Sequence, residues 1–127
     1  MDGIKHGNTV TDGQAHRNWL IGWYIDEDPM RQTHDVEVKW GIHKPGDANG
    51  TFARDKVARS LSILIRGRFR LVFRRGNVTE EVKLEKEGDY ALWLPGVEHA
   101  WFAEGAAETI VVTVRWPSLP YPQDHSS

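Results

Sequence analysis

Gly88-Asp89-Tyr90-Ala91-Leu92-Trp93-Leu94-Pro95-Gly96-Val97-Glu98-His99 is the stretch on which the fold turns. It reads as a short strand, a tight Pro-Gly turn and a second strand that opens on a histidine, since Pro-Gly pairs punctuate extended segments. Such an arrangement aims one imidazole at the interior of a β-barrel.

Outward from this hairpin the chain divides into short extended segments. Arg17 to Ile25 puts Trp19, Ile21, Trp23 and Ile25 on one face and the apolar Leu20 and Tyr24 on the other, which predicts a strand covered on both sides. Asp35 to His43 alternates more cleanly. Val36, Val38, Trp40 and Ile42 point one way and Asp35, Glu37, Lys39 and His43 the other, the signature of a half-buried strand. Lys44-Pro45-Gly46-Asp47 breaks that pattern, and Ala48 to Lys56 reads as loop. Ser60 to Ile65 and Phe69 to Phe73 follow, and Arg74-Arg75-Gly76-Asn77 is expected to form a four-residue turn into Val78 to Leu84. That turn sets Phe73 opposite Val78, Phe69 opposite Val82 and Arg70 opposite Glu81. His99 to Ala103 and Thr109 to Trp116 complete a set of about eight strands with no helical periodicity, so the expected fold is all-β, an antiparallel jelly roll or closed barrel. Residues 1–16 form a polar arm, 17–116 the barrel domain, and 117–127 a proline-rich tail that cannot extend a ladder.

Composition narrows the function classes. The 127 residues suit one domain with one core. The absence of cysteine excludes disulfides, thiolate metal sites and thiol nucleophiles, and fits a reducing compartment. A net charge of −2 gives no overall pull toward nucleic acid or anionic lipid. The arginines of residues 66–75 face a return strand rich in glutamate, so they read as the solvated side of a hairpin. With neither a basic segment leading into an apolar run nor a long apolar stretch, a cytoplasmic protein without a membrane span is expected. Six tryptophans are the compositional outlier, and indoles of that number suit either barrel filling or a ligand pocket.

The Gly88 to His99 stretch resembles the second motif of the cupin superfamily, a glycine, five residues, then Pro-x-Gly-x-x-His and an asparagine four positions later. Leu94 stands at the first proline position and Ala103 at the asparagine. Lys44-Pro45-Gly46 resembles the start of the first cupin motif, and Leu61 to Phe69 its glycine-terminated end. The resemblance implies a small jelly-roll barrel, a dimer, and a cavity lined by His99, Trp101 and Ala103. It also locates the family's metal ligands. Counting back from Gly67 puts Ser60 at the glutamate position and Arg54 with Lys56, or Ala53 with Asp55, at the histidine pair. Only His99 is retained, and one imidazole binds a divalent ion too weakly to hold it.

The expected function is therefore binding of a small organic ligand, anionic ones included, without metal or other cofactor, held by Trp101, Trp40, Ser62, His43 and His99. Arg54 and Lys56 would supply positive charge at the cavity mouth. Were the protein an enzyme, His99, titrating near neutrality, would carry the proton in an isomerisation, cyclisation or elimination. Two alternatives stand beside this: a metal-dependent oxygenase in which His43 or His34 joins His99, and a non-catalytic sensing or dimeric interaction module.

Overall fold

The computed structural model describes residues 1–120. The outer half of the expected tail, 121–127, lies outside the described residues. The chain begins with a one-turn helix, α1 (Thr9–Asp12), and a 3-10 turn at Gln14–His16, both departures from an all-strand reading. Asn8 explains the helix, since its side-chain oxygen accepts from Val10 N–H at 2.9 Å and caps the first turn. The strands among the described residues are β1 (Trp19–Ile21), β2 (Glu37–His43), β3 (Arg59–Arg66), β4 (Phe69–Arg75), β5 (Val78–Leu84), β6 (Tyr90–Trp93), β7 (Glu98–Ala103) and β8 (Thr109–Trp116). They form two antiparallel sheets, a large one ordered β1-β2-β8-β3-β6 and a small one ordered β5-β4-β7. No helix among the described residues is long and apolar enough to cross a membrane.

Three segments differ from expectation, each for a local reason. The Arg17 to Ile25 strand shrinks to Trp19–Ile21, because Arg17 and Asn18 take left-handed φ angles of 52° and 73° before it and the register with β2 slips within it. The β4–β5 turn uses two residues rather than four: Gly76, at φ 58°, and Asn77 close it, so Arg75 pairs with Val78. The register is thus displaced, with Phe69 opposite Leu84, Leu71 opposite Val82 and Phe73 opposite Glu80. Because the displacement is even, every side chain keeps its face. Arg70 still reaches Glu81 diagonally at 3.7 Å and bonds Glu104 of the β7–β8 connection at 3.1 Å.

The third difference matters most. In β2 the inward residues are Glu37, Lys39, Gly41 and His43, so Trp40, expected at the ligand, is turned away from it, and the apolar set that local hydrophobicity would bury faces out. Glu37 is fully buried, and Val38, Trp40 and Ile42 sit half-buried on the other face. The registers of β2, β8, β3 and β6 then stack the interior into rows. Glu37, Arg115, Ser60 and Trp93 form the first row, and Lys39, Thr113, Ser62 and Ala91 the second. Below them Gly41, Val111 and Leu64 begin the apolar floor, which continues through Phe69, Leu71, Leu84, Trp101 and Ala103 of the small sheet and the following connection. The outer face of the large sheet carries Val38, Trp40, Ile42, Val112, Val114, Leu61, Ile63, Tyr90 and Leu92.

The 44–58 connection is not a free loop. Its backbone runs beside β7, with Gly46 N–H on Ala103 C=O, Ala103 N–H on Asp47 C=O, and Ala53 exchanging both bonds with His99 at 2.8 and 2.7 Å. It closes the small sheet's second edge.

Gly67, at the β3–β4 bend, has φ +94°, and a Cβ there would meet Thr109 Cα at 2.7 Å. Gly76 also has positive φ but open space around it. Chemical denaturation should therefore find Gly67→Ala destabilised by more than about 2 kcal/mol and Gly76→Ala by only about 1 kcal/mol. Equal losses would contradict the close packing of the bend on β8.

Candidate functional site

The site is built where the first two interior rows face β7. The Pro95-Gly96 turn, with Gly96 at φ 86° and its N–H on Asp55 C=O at 2.8 Å, delivers the chain into β7. His99 is then held on both sides, by its register with Phe73 on β4 and by the paired bonds to Ala53. Period-two alternation sends its side chain inward. It is 2% exposed, and its ring lies 5.0 Å from that of Trp93. Trp93 in turn packs on Phe73 at 5.1 Å.

Around His99 the polar atoms outnumber their partners. Both ring nitrogens of His99, the indole N–H of Trp93, Ser60 Oγ, one carboxylate oxygen of Asp55 and one of Glu37 are buried with no hydrogen-bond partner among the described residues. Buried polar atoms are ordinarily satisfied, so a contiguous group of orphans marks a place where something polar belongs. The other oxygens are engaged: Asp55 Oδ1 accepts from Val57 and Ala58 N–H, and Glu37 Oε2 accepts from Tyr24 O–H at 2.9 Å. Arg115, Glu37's register partner, lies with its guanidinium 5.0 Å from the Trp19 ring centre.

The electrostatics keep both interior imidazoles neutral. Burial, and then the positive charge of Arg115, lower His99 to about 4, although Asp55 and the Ala53 backbone oppose the shift. Burial, and then Lys39, lower His43 to about 4. Neutrality-range titration of His99, expected from sequence, is thus replaced by titration in acid. Glu37 is pushed up by burial against the lowering effect of Arg115 and Tyr24, and the Tyr24 hydroxyl is raised by burial and then by Glu37. Lys39 is lowered to about 8, by burial first and then by Arg115 and Arg17.

The predicted residues divide accordingly. Trp101 points inward but belongs to a second cluster, with the His43 ring at 4.4 Å and Phe69 stacked at 5.4 Å. Ser62 is in the second row, its hydroxyl 3.2 Å from that of Thr113. Trp40 is on the outer face of β2 and does not join His99. Arg54 and Lys56 are exposed on the connection beside β7. Arg54 adds to the lowering of Glu98, which is governed first by its 2.8 Å bond from Arg74. His34 precedes β2, where its carbonyl accepts from Ser118 N–H. Sequence reasoning missed Trp93, Asp55, Glu37, Lys39 and Arg115. The available signal was Arg115, a lone charge inside the Val/Ile/Thr run of β8, which either faces water or demands a polar interior.

These residues do not suit a divalent metal. Among the described residues no group of three or more His, Asp or Glu side chains converges, and His43 and His99 lie in separate aromatic clusters. Arg115 disfavours a further positive charge beside His99.

No family model and no curated protein matches the sequence. Solved structures do match in shape. Peruvianin-I, a cysteine peptidase from Thevetia peruviana latex, superposes with a TM-score of 0.62 at 19% identity over 72% of this chain and 56% of that one. KdgF from Halomonas sp. gives 0.58 at 18% identity over 68% and 74%, and a cupin protein from Bacteroides fragilis 0.57 at 13% identity over 71% and 72%. The chain spans little more than half of Peruvianin-I, and it has no cysteine. At these identities the likeness defines the fold, and the fold is that of a small cupin, a double-stranded β-helix.

The interior histidines make stability pH-dependent with a definite sign. Their folded pKa of about 4 lies below the ordinary 6.5. The unfolded chain therefore takes up protons first, and stability is full above about 6.5 and falls toward about 4. In that window denaturation free energy measured against pH should lose up to about 1.4 kcal/mol per pH unit per histidine. His99→Gln and His43→Gln should each flatten the slope by a comparable amount, and an unchanged slope would show that the imidazoles are not buried neutral.

Proposed function

We propose that this protein binds a small oxygen-rich organic molecule, best a hydroxy- or oxo-carboxylate, inside the barrel against His99. The observation that carries the reading is the contiguous set of unpartnered buried atoms on Ser60, Trp93 and His99. Trp93 N–H and one His99 nitrogen donate, the other His99 nitrogen accepts, and Ser60 does either, so the set matches a ligand carrying both acceptors and a hydroxyl. Arg115 beside the set favours negative charge, against the carboxylates of Asp55 and Glu37, whose unpartnered oxygens accept from a ligand hydroxyl. A cavity of about 400 Å³ between the β5 and β6 edges, lined by Phe73, Val82, Ala91, Trp93 and Val97 with Arg74 and Arg75 at its rim, has Trp93 as a shared wall and the size of a small-molecule site.

Binding fits the geometry better than proton transfer by His99. An effective acid or base at neutral pH titrates near that pH, whereas His99 titrates at about 4. Its role is to orient and satisfy a ligand as a neutral imidazole. Calorimetric titration of a panel of small hydroxy and oxo acids tests this. A member of the panel should bind wild type, with affinity reduced about fivefold in Ser60→Ala or Trp93→Phe and more in His99→Ala. Binding unaffected by all three variants removes the assignment.

A second reading, assembly of two copies, is favoured by the outer face of the large sheet. Apart from the exposed Arg59 at the start of β3, its outward positions on β2, β8 and β3 are apolar, as are Tyr90 and Leu92 of β6, which remain 64% and 56% exposed. Five strands of up to eight residues span roughly 25 Å by 25 Å, an area of the order of the ~800 Å² per partner of stable interfaces. A largely apolar patch, with charge only at its Arg59 margin, can be self-complementary about a two-fold axis. Light scattering should give a dimer that Leu92→Arg converts to monomer without loss of fold. A wild type that stays monomeric at high concentration refutes it.

A further inference from the structure

We propose that Lys39 is a nucleophilic amine within the barrel that captures small anionic aldehydes or 2-oxo acids as a Schiff base. The inference rests on the reading of the interior as a small-molecule chamber and assigns that chamber a chemistry.

The geometry begins with the face reversal of β2. Lys39 projects into the second interior row beside Thr113, one row from Arg115 and Ser60. Its Nζ lies 5.7 Å from the ring centre of Trp19, and no carboxylate is paired with it among the described residues. The charges that act on it come from the elements around it: Arg115 on β8 and Arg17 ahead of β1, both positive. Glu37, on the same face of β2, is bonded by Tyr24 and stands opposite Arg115. His43 lies on the other side, and its ring folds back over Gly41, since a Cβ at Gly41 would meet His43 Nε2 at 3.0 Å. A structural lysine reaches a carboxylate or bulk water. Lys39 instead lies among guanidiniums, a neutral imidazole and an indole.

Each neighbour suits one part of the reaction. The guanidiniums attract the carboxylate or phosphate of the ligand and disfavour a protonated amine, against the weaker pull of the Trp19 ring on an ammonium. The Nζ lone pair adds to the carbonyl carbon and the C=O π electrons move to oxygen. A proton passes from nitrogen to that oxygen, and the carbinolamine then loses water as the C=N bond forms. Amine and carbonyl give imine and one water, with no oxidant or reductant consumed. His43, neutral and adjacent, can relay the proton. With Lys39 lowered to about 8, its neutral fraction at pH 7 is about 300-fold that of a lysine at the ordinary 10.5.

The test is trapping. Full-length protein is incubated with glyoxylate and cyanoborohydride, which reduces the imine and leaves a carboxymethyl group on the lysine, and modified positions are mapped by mass spectrometry. Lys39 should be modified at least tenfold faster than Lys5, Lys44, Lys56, Lys83 or Lys86, with a rate midpoint near pH 8. Acetaldehyde, lacking the carboxylate, should show less preference, and the preference should vanish in urea. Lys39→Arg, checked for fold by circular dichroism, should lose the fast site. Uniform labelling, or Lys39 slower than the rest, overturns the proposal. Carboxylates that bind wild type and Lys39→Met alike, with no adduct at Lys39, would uphold the chamber and sink the amine. Fast trapping in a protein that binds no saturated acid would uphold the amine and sink the His99 site.

Discussion

The opposition of Glu37 and Arg115 across β2 and β8 is the constraint from which the interior follows. Arg115 is 1% exposed and Glu37 is fully buried, and either one alone inside the barrel would cost several kcal/mol. A slip of β2 by one residue would bring Val38 or Val36 against Arg115 and turn the carboxylate outward, leaving the guanidinium uncompensated. The register that avoids this carries Lys39, Gly41 and His43 inward with Glu37. It also puts Ser60 and Trp93 in the same row through β3 and β6. Polar residues thus occupy one end of the barrel interior, and the apolar floor of Leu64, Leu71 and Trp101 occupies the rest.

That division shapes what the interior can do chemically. The imidazole placed by the cupin-like turn is desolvated and lies near a guanidinium, so it stays neutral well below physiological pH, with both ring nitrogens unpartnered among the described residues. The amine one row away experiences the same two forces, but for a group that starts at 10.5 they bring titration toward the working range rather than out of it. One environment thus idles the histidine as an acid–base group and activates the lysine.

The large sheet is unusual in having its polar residues on the covered face and its apolar ones on the open face. In an ordinary antiparallel sheet with one solvated side the pattern runs the other way. The inner face carries Glu37, Lys39, Ser60, Ser62, Thr113 and Arg115 above the apolar floor, whereas the outer face is largely apolar. The small sheet behaves conventionally, with Arg70 and Arg74 paired to Glu104 and Glu98, while Arg66 at the end of β3 and Arg68 in the bend that follows pair with Glu108 and Glu85. The expectation that these charges cancel locally holds, although Glu98, Glu104 and Glu108 come from β7 and its sequel rather than from the return strand.

The sequence by itself determined the strand set, the jelly-roll class and the inward histidine, because turn chemistry at Pro95-Gly96 and period-two alternation act within a few residues. It also placed Ser60, and either Arg54 with Lys56 or Ala53 with Asp55, where the resemblance puts metal ligands, a matter of residue identity alone. Tertiary structure decided which face of β2 is inside. Val38, Trp40 and Ile42 alternate with Glu37, Lys39 and His43 in either orientation, and local hydrophobicity favours the wrong one. Only the partner across the ladder, Arg115, lying more than seventy residues away, makes the charged face the interior face. Electrostatic compensation between distant strands leaves no trace in local periodicity, and so the buried polar rows and their unpartnered atoms became visible only in the folded chain.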